Sequence, residues 1–453
     1  MTDSNADAKR ARIFYARVDE FARKEDKYKF LDDAGSLGGV AWQELHPDAK
    51  HTWLTEGMRD EFESFLPMGT KEAKQRTSEE AETLFKAFSL GVSTNRDAVV
   101  HDFNEGALAI RVEKFCEDYN AEVARYRQKG KPKNIDDFLK YDEIKWSRNL
   151  KRHLRTGNKA SFDKQRLYKS IYRPFTKKFL YLSEIIVDEL GQNLSFFPKA
   201  ETVNKVVMVP SAGGRTNFWC FCVDTVPNLA LTSIDGSQCF PLYTYNEDGT
   251  NRHQNITDWV LAQFRAQYAD QSITKLDIFH YVYALLHHPT YRATYAANLR
   301  RELPRIPFVK DSADFRAFVR AGARLAELHV NYEAQPEYKL ERVENPDAAL
   351  DWRVEKMKLS KDKTSIVYND FLTLEGIPPA AFEYRLGNRS ALEWIIDQYQ
   401  VSTDKRSGIT NDPNRADEPD YIVKLIGKIT TVSVETVKTV RGLPALQLPE
   451  ASK

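Results

Sequence analysis

The sequence predicts a mixed α+β fold of several parts, a strand-rich region framed by helical bundles. Three patterns predict it. Short β-branched and aromatic runs broken by glycine and proline fill 180–245, apolar stripes at helical spacing follow from 256 to 332, and strand and helix signals alternate again to the C-terminus. At 453 residues the chain is long for one small core. Its 12% aromatic content excludes a disordered chain.

The composition shifts divide the chain at 134, 250 and 335. Residues 1–134 read as mostly helical, 135–250 as basic and strand-rich, 251–335 as helical and 336–453 as an α/β part. At the start, Ile13, Tyr15 and Val18 alternate as a short strand that runs into the helical spacing Phe21, Lys24, Tyr28, Leu31. After VAWQELHPDAKHTWL, a mostly helical segment is expected over roughly 56–128, interrupted by a loop at Thr94–Asp97, and GKPKN at 130–134 is a turn. The strand runs are KVVMVPS, NFWCFCVDTV and SQCFPLYTY, separated by Gly213-Gly214 and Pro227. Helices are expected over ITDWVLAQFRAQYA, over LDIFHYVYALLHHPTYRATYAANLRREL up to Pro304, and over ADFRAFVRAGARLAELHVNY. WRVEKMKLSKDKTSIVYNDFLTLEGI reads as strands and RSALEWIIDQYQV as an amphipathic helix. YIVKLIGKITTVSVETVKTV reads as a closing helix despite its β-branched residues.

A formal net charge of +1, from 66 basic and 65 acidic residues, excludes a uniformly basic protein and directs attention to local charge. Between Lys145 and Lys178 twelve Lys/Arg face a single acid, Asp163, and Trp146, Tyr168, Tyr172 and Phe175 are interleaved with them. A solvated helical face would carry acids at i+4. Such a run suits phosphates, with the aromatics packing or stacking. Its other reading is a basic surface that meets an acidic protein domain.

Catalytic signatures are scarce. There is no GxxxxGK[ST] and no GxGxxG, and Gly35, Gly38 and Gly39 are too loosely spaced to replace one. No adenosylmethionine loop or Asn-Pro-Pro-Tyr tetrapeptide occurs. Asp142, Glu143 and Lys145 form an E-x-K string of the kind found in metal nucleases, but such strings recur by chance in a chain with 29% charged residues. His287 and His288 are adjacent, so on a helix they diverge, and neither has a partner at i+4. Helix-end polar groups are the expectation there, and a hydrogen-bonded packed residue for His280. Tyr281, Tyr283, Tyr291 and Tyr295 read as core. Cys220 and Cys222, at i and i+2, share one apolar strand face. With Cys116 and Cys239 they stay thiols in a reducing compartment, and no metal site is expected. No stretch approaches the roughly 18 apolar residues of a membrane span, and the start lacks the apolar core of a secretion signal. The expectation is a cytoplasmic protein.

Several long strings resemble the C-terminal specificity region of type ISP restriction-modification enzymes, which join nuclease, translocase, adenine methyltransferase and target recognition in one chain. They are RIFYARVDEF with KYKFLD, WQELHPDAKHTWL, GVSTNRDAVVHDF, IKWSRNLKRHL with YRPFTKKFLY, CFPLY, IFHYVYALLHHPTYRATYAANLRRELPRIPF, and NRSALEWIIDQYQV with KRSGITNDPN. The resemblance implies sequence-specific recognition of double-stranded DNA in phage defence. Residues 1–134 would then lie distal to a methyltransferase core, and 135–250 would hold the target-recognition domain. It implies no catalytic residues here, with S-adenosylmethionine, ATP and Mg expected on other domains, and a methyltransferase–translocase polypeptide as a second partner. Phosphate contacts fall to Arg96, Arg148, Lys151, Arg152, Arg155, Lys169, Arg173, Lys177 and Lys178. Base reading falls to Arg215, Asn217 and Gln238 on loops between strands, Arg for guanine and Asn or Gln for adenine. The rival functions are a divergent DNA methyltransferase or nuclease, and an interaction scaffold.

Overall fold

A computed structural model describes residues 11–18, 22–47, 51–70, 81–141, 144–246 and 248–447. Asp142, Glu143 and Phe21 lie outside the described residues. The chain forms two compact units, 1–58 and 59–453. In the first, β1 (Ile13–Tyr15) pairs antiparallel with β2 (Gln43–Leu45), and α1 (Lys24–Ala34) lies between them in sequence. The expected strand and helix are both present, with the helix beginning at Lys24.

In the second unit the elements run β3 (Ser89–Leu90), β4 (His101–Asp102), α2 (Glu105–Gln128), α3 (Arg148–Thr156), β5 (Leu167–Arg173) and β6 (Thr176–Tyr181). Then come β7 (Val206–Pro210), β8 (Phe221–Val223), β9 (Val226–Pro227) and β10 (Ser237–Pro241). Three helices follow, α4 (Asp258–Tyr268), α5 (Lys275–His287) and α6 (Ser312–Val330). The last part holds β11 (Glu341–Glu344), β12 (Lys358–Leu359), β13 (Ser365–Val367), β14 (Leu372–Glu375), α7 (Ala391–Gln398) and α8 (Tyr421–Arg441).

Two four-stranded sheets form the centre. One has the order β9-β5-β6-β4, in which β9 joins β5 in parallel and the other pairs are antiparallel. The second, β3-β10-β7-β8, is antiparallel throughout. A third antiparallel sheet, β11-β14-β13-β12, belongs to the C-terminal part. Strand alternation divides the interior. Cys220 and Cys222 enter the core built on α5 and α6, while Trp219 and Phe221 enter the core that α2 and α8 share. The shared cysteine face is therefore as the spacing predicts, and Tyr281, Tyr283, Tyr291 and Tyr295 are all fully buried.

The expected helix over 56–128 is a correction. Only α2 and a four-residue helical turn at Asp97–Val100 are α-helical there among the described residues, and Asp60–Ser64 is a 3-10 turn. Leu66–Pro67 pairs with Arg305–Ile306 instead, and Phe62, Phe65, Leu84, Phe85 and Phe88 pack into the α5–α6 core. The boundaries at 134, 250 and 335 mark changes of pattern within one compact unit, because a single core collects residues from Val92 to Val437.

α5 and α6 cross closely at Gly322. A Cβ there would lie 1.8 Å from the backbone oxygen of His280, so only glycine lets the two helices meet. Gly322→Ala is expected to destabilise by about 3 kcal/mol, because two helix backbones must separate to admit one methyl group. A urea midpoint within error of the wild type would show that the helices slide apart freely.

Candidate nucleic-acid interface

The basic run folds into α3 and the β5–β6 hairpin. Ser147 caps α3, its Oγ accepting the Leu150 N–H at 3.3 Å, and Gly157 ends it in the left-handed region at φ 77°. Leu150 and Leu154 face the core, which turns Arg148, Arg152 and Arg155, at i, i+4 and i+7, to one exposed side.

The acids missing from the local sequence arrive from elsewhere in the chain. Lys151 is ion-paired with Asp136, Lys177 with Asp224 at 3.0 Å and Arg173 with Asp97 at 3.7 Å. Lys178 is 7% exposed, with its Nζ 3.2 Å from Asn411 Oδ1 and 4.4 and 4.3 Å from the rings of Phe103 and Tyr172. Burial pushes its pKa down to about 8. Lys169 is exposed and lies 3.9 Å from the centre of the Phe179 ring. Of the nine residues assigned to phosphates, Arg148, Arg152, Arg155 and Lys169 present exposed side chains. Lys151, Arg173, Lys177 and Lys178 are half-buried or buried; Lys151 ties α3 to Asp136 and the other three hold the hairpin to its neighbours.

Arg96 departs furthest from its expected place. It is 4% exposed, and its guanidinium donates to the carbonyl of Ile186, to that of Lys145 at 3.2 Å and to Ser147 Oγ at 2.9 Å. Burial lowers its pKa to about 10, which leaves it charged at neutral pH. Arg96 ties the 92–99 loop to the start of α3 and offers no charge to solvent, a correction to its expected phosphate contact.

Two concavities flank this knot. A groove of about 1790 Å³ runs past α3 to Tyr245 and carries both signs of charge, Arg148, Arg152, Lys164 and Arg166 with Asp163, Glu184, Asp188 and Glu201. A cleft of about 440 Å³ forms where 92–99, 228–234 and 404–407 converge, and Asn95, Lys145, Ile234 and Arg406 stand on it. Gly91 lets the first two segments meet, since a Cβ there would be 2.7 Å from the backbone of Asn228.

The expected base readers fall on different surfaces. Arg215 is exposed, but its guanidinium is held by Asp235 at 2.8 and 3.0 Å, and Asn217 is exposed beside it in sequence. Gln238 is not on a loop. It lies within β10, paired to Leu90 and Val209, and is 9% exposed with its Oε1 buried and unpartnered among the described residues. The cleft residues Asn95, Ile234 and Arg406 escape sequence reasoning because three segments distant in the chain supply them. Their one local signal is an aliphatic residue between the polar Ser233 and Asp235 of a turn.

Among the described residues no group of three or more His, Cys, Asp or Glu is placed to hold a metal, and no helix is long and apolar enough to cross a membrane. His280 is half-buried with its Nε2 unpartnered among the described residues, so its expected hydrogen bond at that atom is absent.

No curated protein matches the sequence. Solved structures do. A nuclease-deletion mutant of the Type ISP restriction-modification enzyme LlaGI, in complex with a DNA substrate mimic, matches 98% of this chain at 31% identity and a TM-score of 0.83. DrdV in a DNA complex matches 96% at 35% identity and 0.83. The ATP-dependent Type ISP enzyme LlaBIII bound to DNA matches 97% at 30% identity and 0.82. The match covers 40%, 44% and 28% of those chains, so this chain spans less than half their length. The Type ISP C-terminal specificity domain family matches residues 83–425, and the chain belongs to that family.

Proposed function

We propose that this chain reads a double-stranded DNA sequence as the specificity part of a restriction-modification system. The observation that carries the reading is a fold shared over nearly the whole chain with three proteins solved with DNA. On this reading Arg148, Arg152 and Arg155 meet phosphates from one face of α3, with Lys169 as a further cation, and fix the register without choosing sequence. Asn217 carries the group that suits an adenine edge, while the Arg215 guanidinium two residues before it is held by Asp235. Nuclease, motor and methyl-transfer chemistry, with S-adenosylmethionine, ATP and Mg, belongs to other parts of the system, which works in the cytoplasm where its DNA is.

The test is retention of a random-sequence duplex pool by the purified chain at roughly 50 and 200 mM salt. Enrichment of one short motif is expected, with retention falling steeply at the higher salt. Joint Arg148→Ala, Arg152→Ala and Arg155→Ala substitution is expected to weaken binding at least tenfold on every sequence and to reduce the log–log salt slope by about 2 to 3. An unchanged slope would remove α3 from the interface. Retention of no DNA at either salt would overturn the reading.

A second reading, an interaction scaffold, is favoured by the mixed charge of the large groove, which suits a polypeptide such as a methyltransferase–translocase part better than a phosphate backbone. Salt-insensitive binding would favour it.

A further inference from the structure

Ile234 stands 83% exposed on a turn whose other side chains are polar. A singly exposed aliphatic residue is ordinary on a protein surface. What sets this one apart is how firmly its turn is held. The Asp235 carboxylate accepts the backbone N–H of Arg215 at 3.1 Å, its Nε at 3.0 Å, its Nη2 at 2.8 Å and the Ser233 hydroxyl at 3.2 Å. Ser233 Oγ accepts the Asp235 N–H at 3.2 Å. Gly236 follows at φ 90°, where a side chain would strain the backbone and press on Leu229 at 3.1 Å. The Ser211 N–H then bonds the Gly236 carbonyl at 3.2 Å, which ties the turn to the end of β7.

The surroundings select a polyanion. Ile234 shares the cleft with Lys145 and Arg406, both exposed and in no ion pair among the described residues. The acids of the cleft are engaged: Asp97 by Thr94 and Arg173, and Asp404 by the backbone N–H groups of Arg406 and Ser407 and the Ser407 hydroxyl. An apolar side chain with a stiff β-branched stem, fixed on a braced turn and flanked by two exposed cations, of which Arg406 donates to the Tyr141 carbonyl at 3.2 Å, has the construction of a wedge that enters between base steps.

We propose that Ile234 inserts into the base stack of a bound DNA duplex, with Lys145 and Arg406 on the adjoining phosphates. Arg215 is then a positioning residue that acts through Asp235 and does not read a base edge. The inference rests on the proposed function, and it names the point at which the duplex is deformed.

The test uses the full chain and duplexes it retains, with 2-aminopurine replacing each purine of the duplex in turn. Unstacking brightens the probe. Wild type is expected to raise its fluorescence several-fold at one step. Ile234→Ala should abolish that rise with an unchanged melting temperature and salt slope, and Ile234→Leu should keep most of it. Arg215→Ala should lower the rise at the same step without altering base preference, which separates positioning from readout. Binding with no brightened position, or with a brightening that Ile234→Ala leaves intact, overturns the wedge and spares the DNA reading. Failure of wild type to retain any duplex overturns both.

Discussion

Arg96→Ala is expected to cost about 3 to 5 kcal/mol of stability, because removing a buried guanidinium strands the groups it satisfies. The carbonyls of Ile186 and Lys145 and the hydroxyl of Ser147 all accept from it at 4% exposure. An exposed arginine on a phosphate would behave differently. A phosphate contact would leave the urea midpoint nearly unchanged and lower the salt slope of DNA binding by about 1. Measuring both on the same variant separates the two. A lower midpoint at constant m-value, with an unaltered slope in the surviving folded fraction, is the expected result. A preserved midpoint with a shallower slope would mean that Arg96 swings out to the backbone of the DNA.

Arg96 also shows which part of the interface was legible in the sequence. An arginine between the polar Asn95 and Asp97 looks like a surface group, and nothing local says that Lys145, Ser147 and Ile186 will close around it. The same holds for the basic run. Its charge is unbalanced within 145–178, yet Asp97, Asp136 and Asp224 pair with three of its cations from outside that stretch. Local i+4 bookkeeping sees only helix neighbours, whereas hairpins recruit partners across the fold. What periodicity does specify is the face of α3, because Leu150 and Leu154 fix which side is buried and so which arginines point out.

The fold divides along the same line. The closing helix α8 forms despite its valines, isoleucines and threonines, since its apolar residues recur on one stripe and a packed stripe outweighs a few tenths of a kcal/mol of propensity per residue. Cys220 and Cys222, just before and within β8, and the tyrosines of α5 also follow their spacing. The described residues of 56–104 form only short helical turns, because their aromatics are drawn into a distant core and Pro67 takes its place in a strand pair with Arg305. Composition alone cannot distinguish that irregular packed segment from an amphipathic helix.

Acidification is expected to unfold the protein in the window where histidine titrates, well above that of the carboxylates. His329 is fully buried, its ring stacked on Tyr384 at 4.9 Å, with Nδ1 2.5 Å from the Tyr283 hydroxyl and Nε2 2.9 Å from Thr436 Oγ1. Burial and the nearby Arg292 push its pKa down to about 3. His287 is held well below its ordinary range by burial, Arg292 and His329, and His280 is pushed down to about 4 by burial and Lys205. His101 is depressed by burial too, and neither ring nitrogen has a partner among the described residues. All four pKa values fall on folding, so the unfolded chain takes up protons below about pH 6.5 that the folded chain refuses. Stability is therefore full above that pH and declines as the pH drops toward the folded values. Each group contributes about 1.4 kcal/mol per pH unit once the unfolded histidine is protonated. Together they remove on the order of 5 kcal/mol by pH 5.5, a large share of what holds a typical domain folded. Paired carboxylates such as Asp235 and Asp270 have pKa values below 3.8 and do not contribute until the pH is lower still. Urea midpoints at pH 7.5, 6.5 and 5.5 test this directly. A steep fall across the last interval, equivalent to uptake of three to four protons, is expected. Equal midpoints at all three would mean that these histidines take up protons in the folded state, and that the core around Tyr283 is open to water.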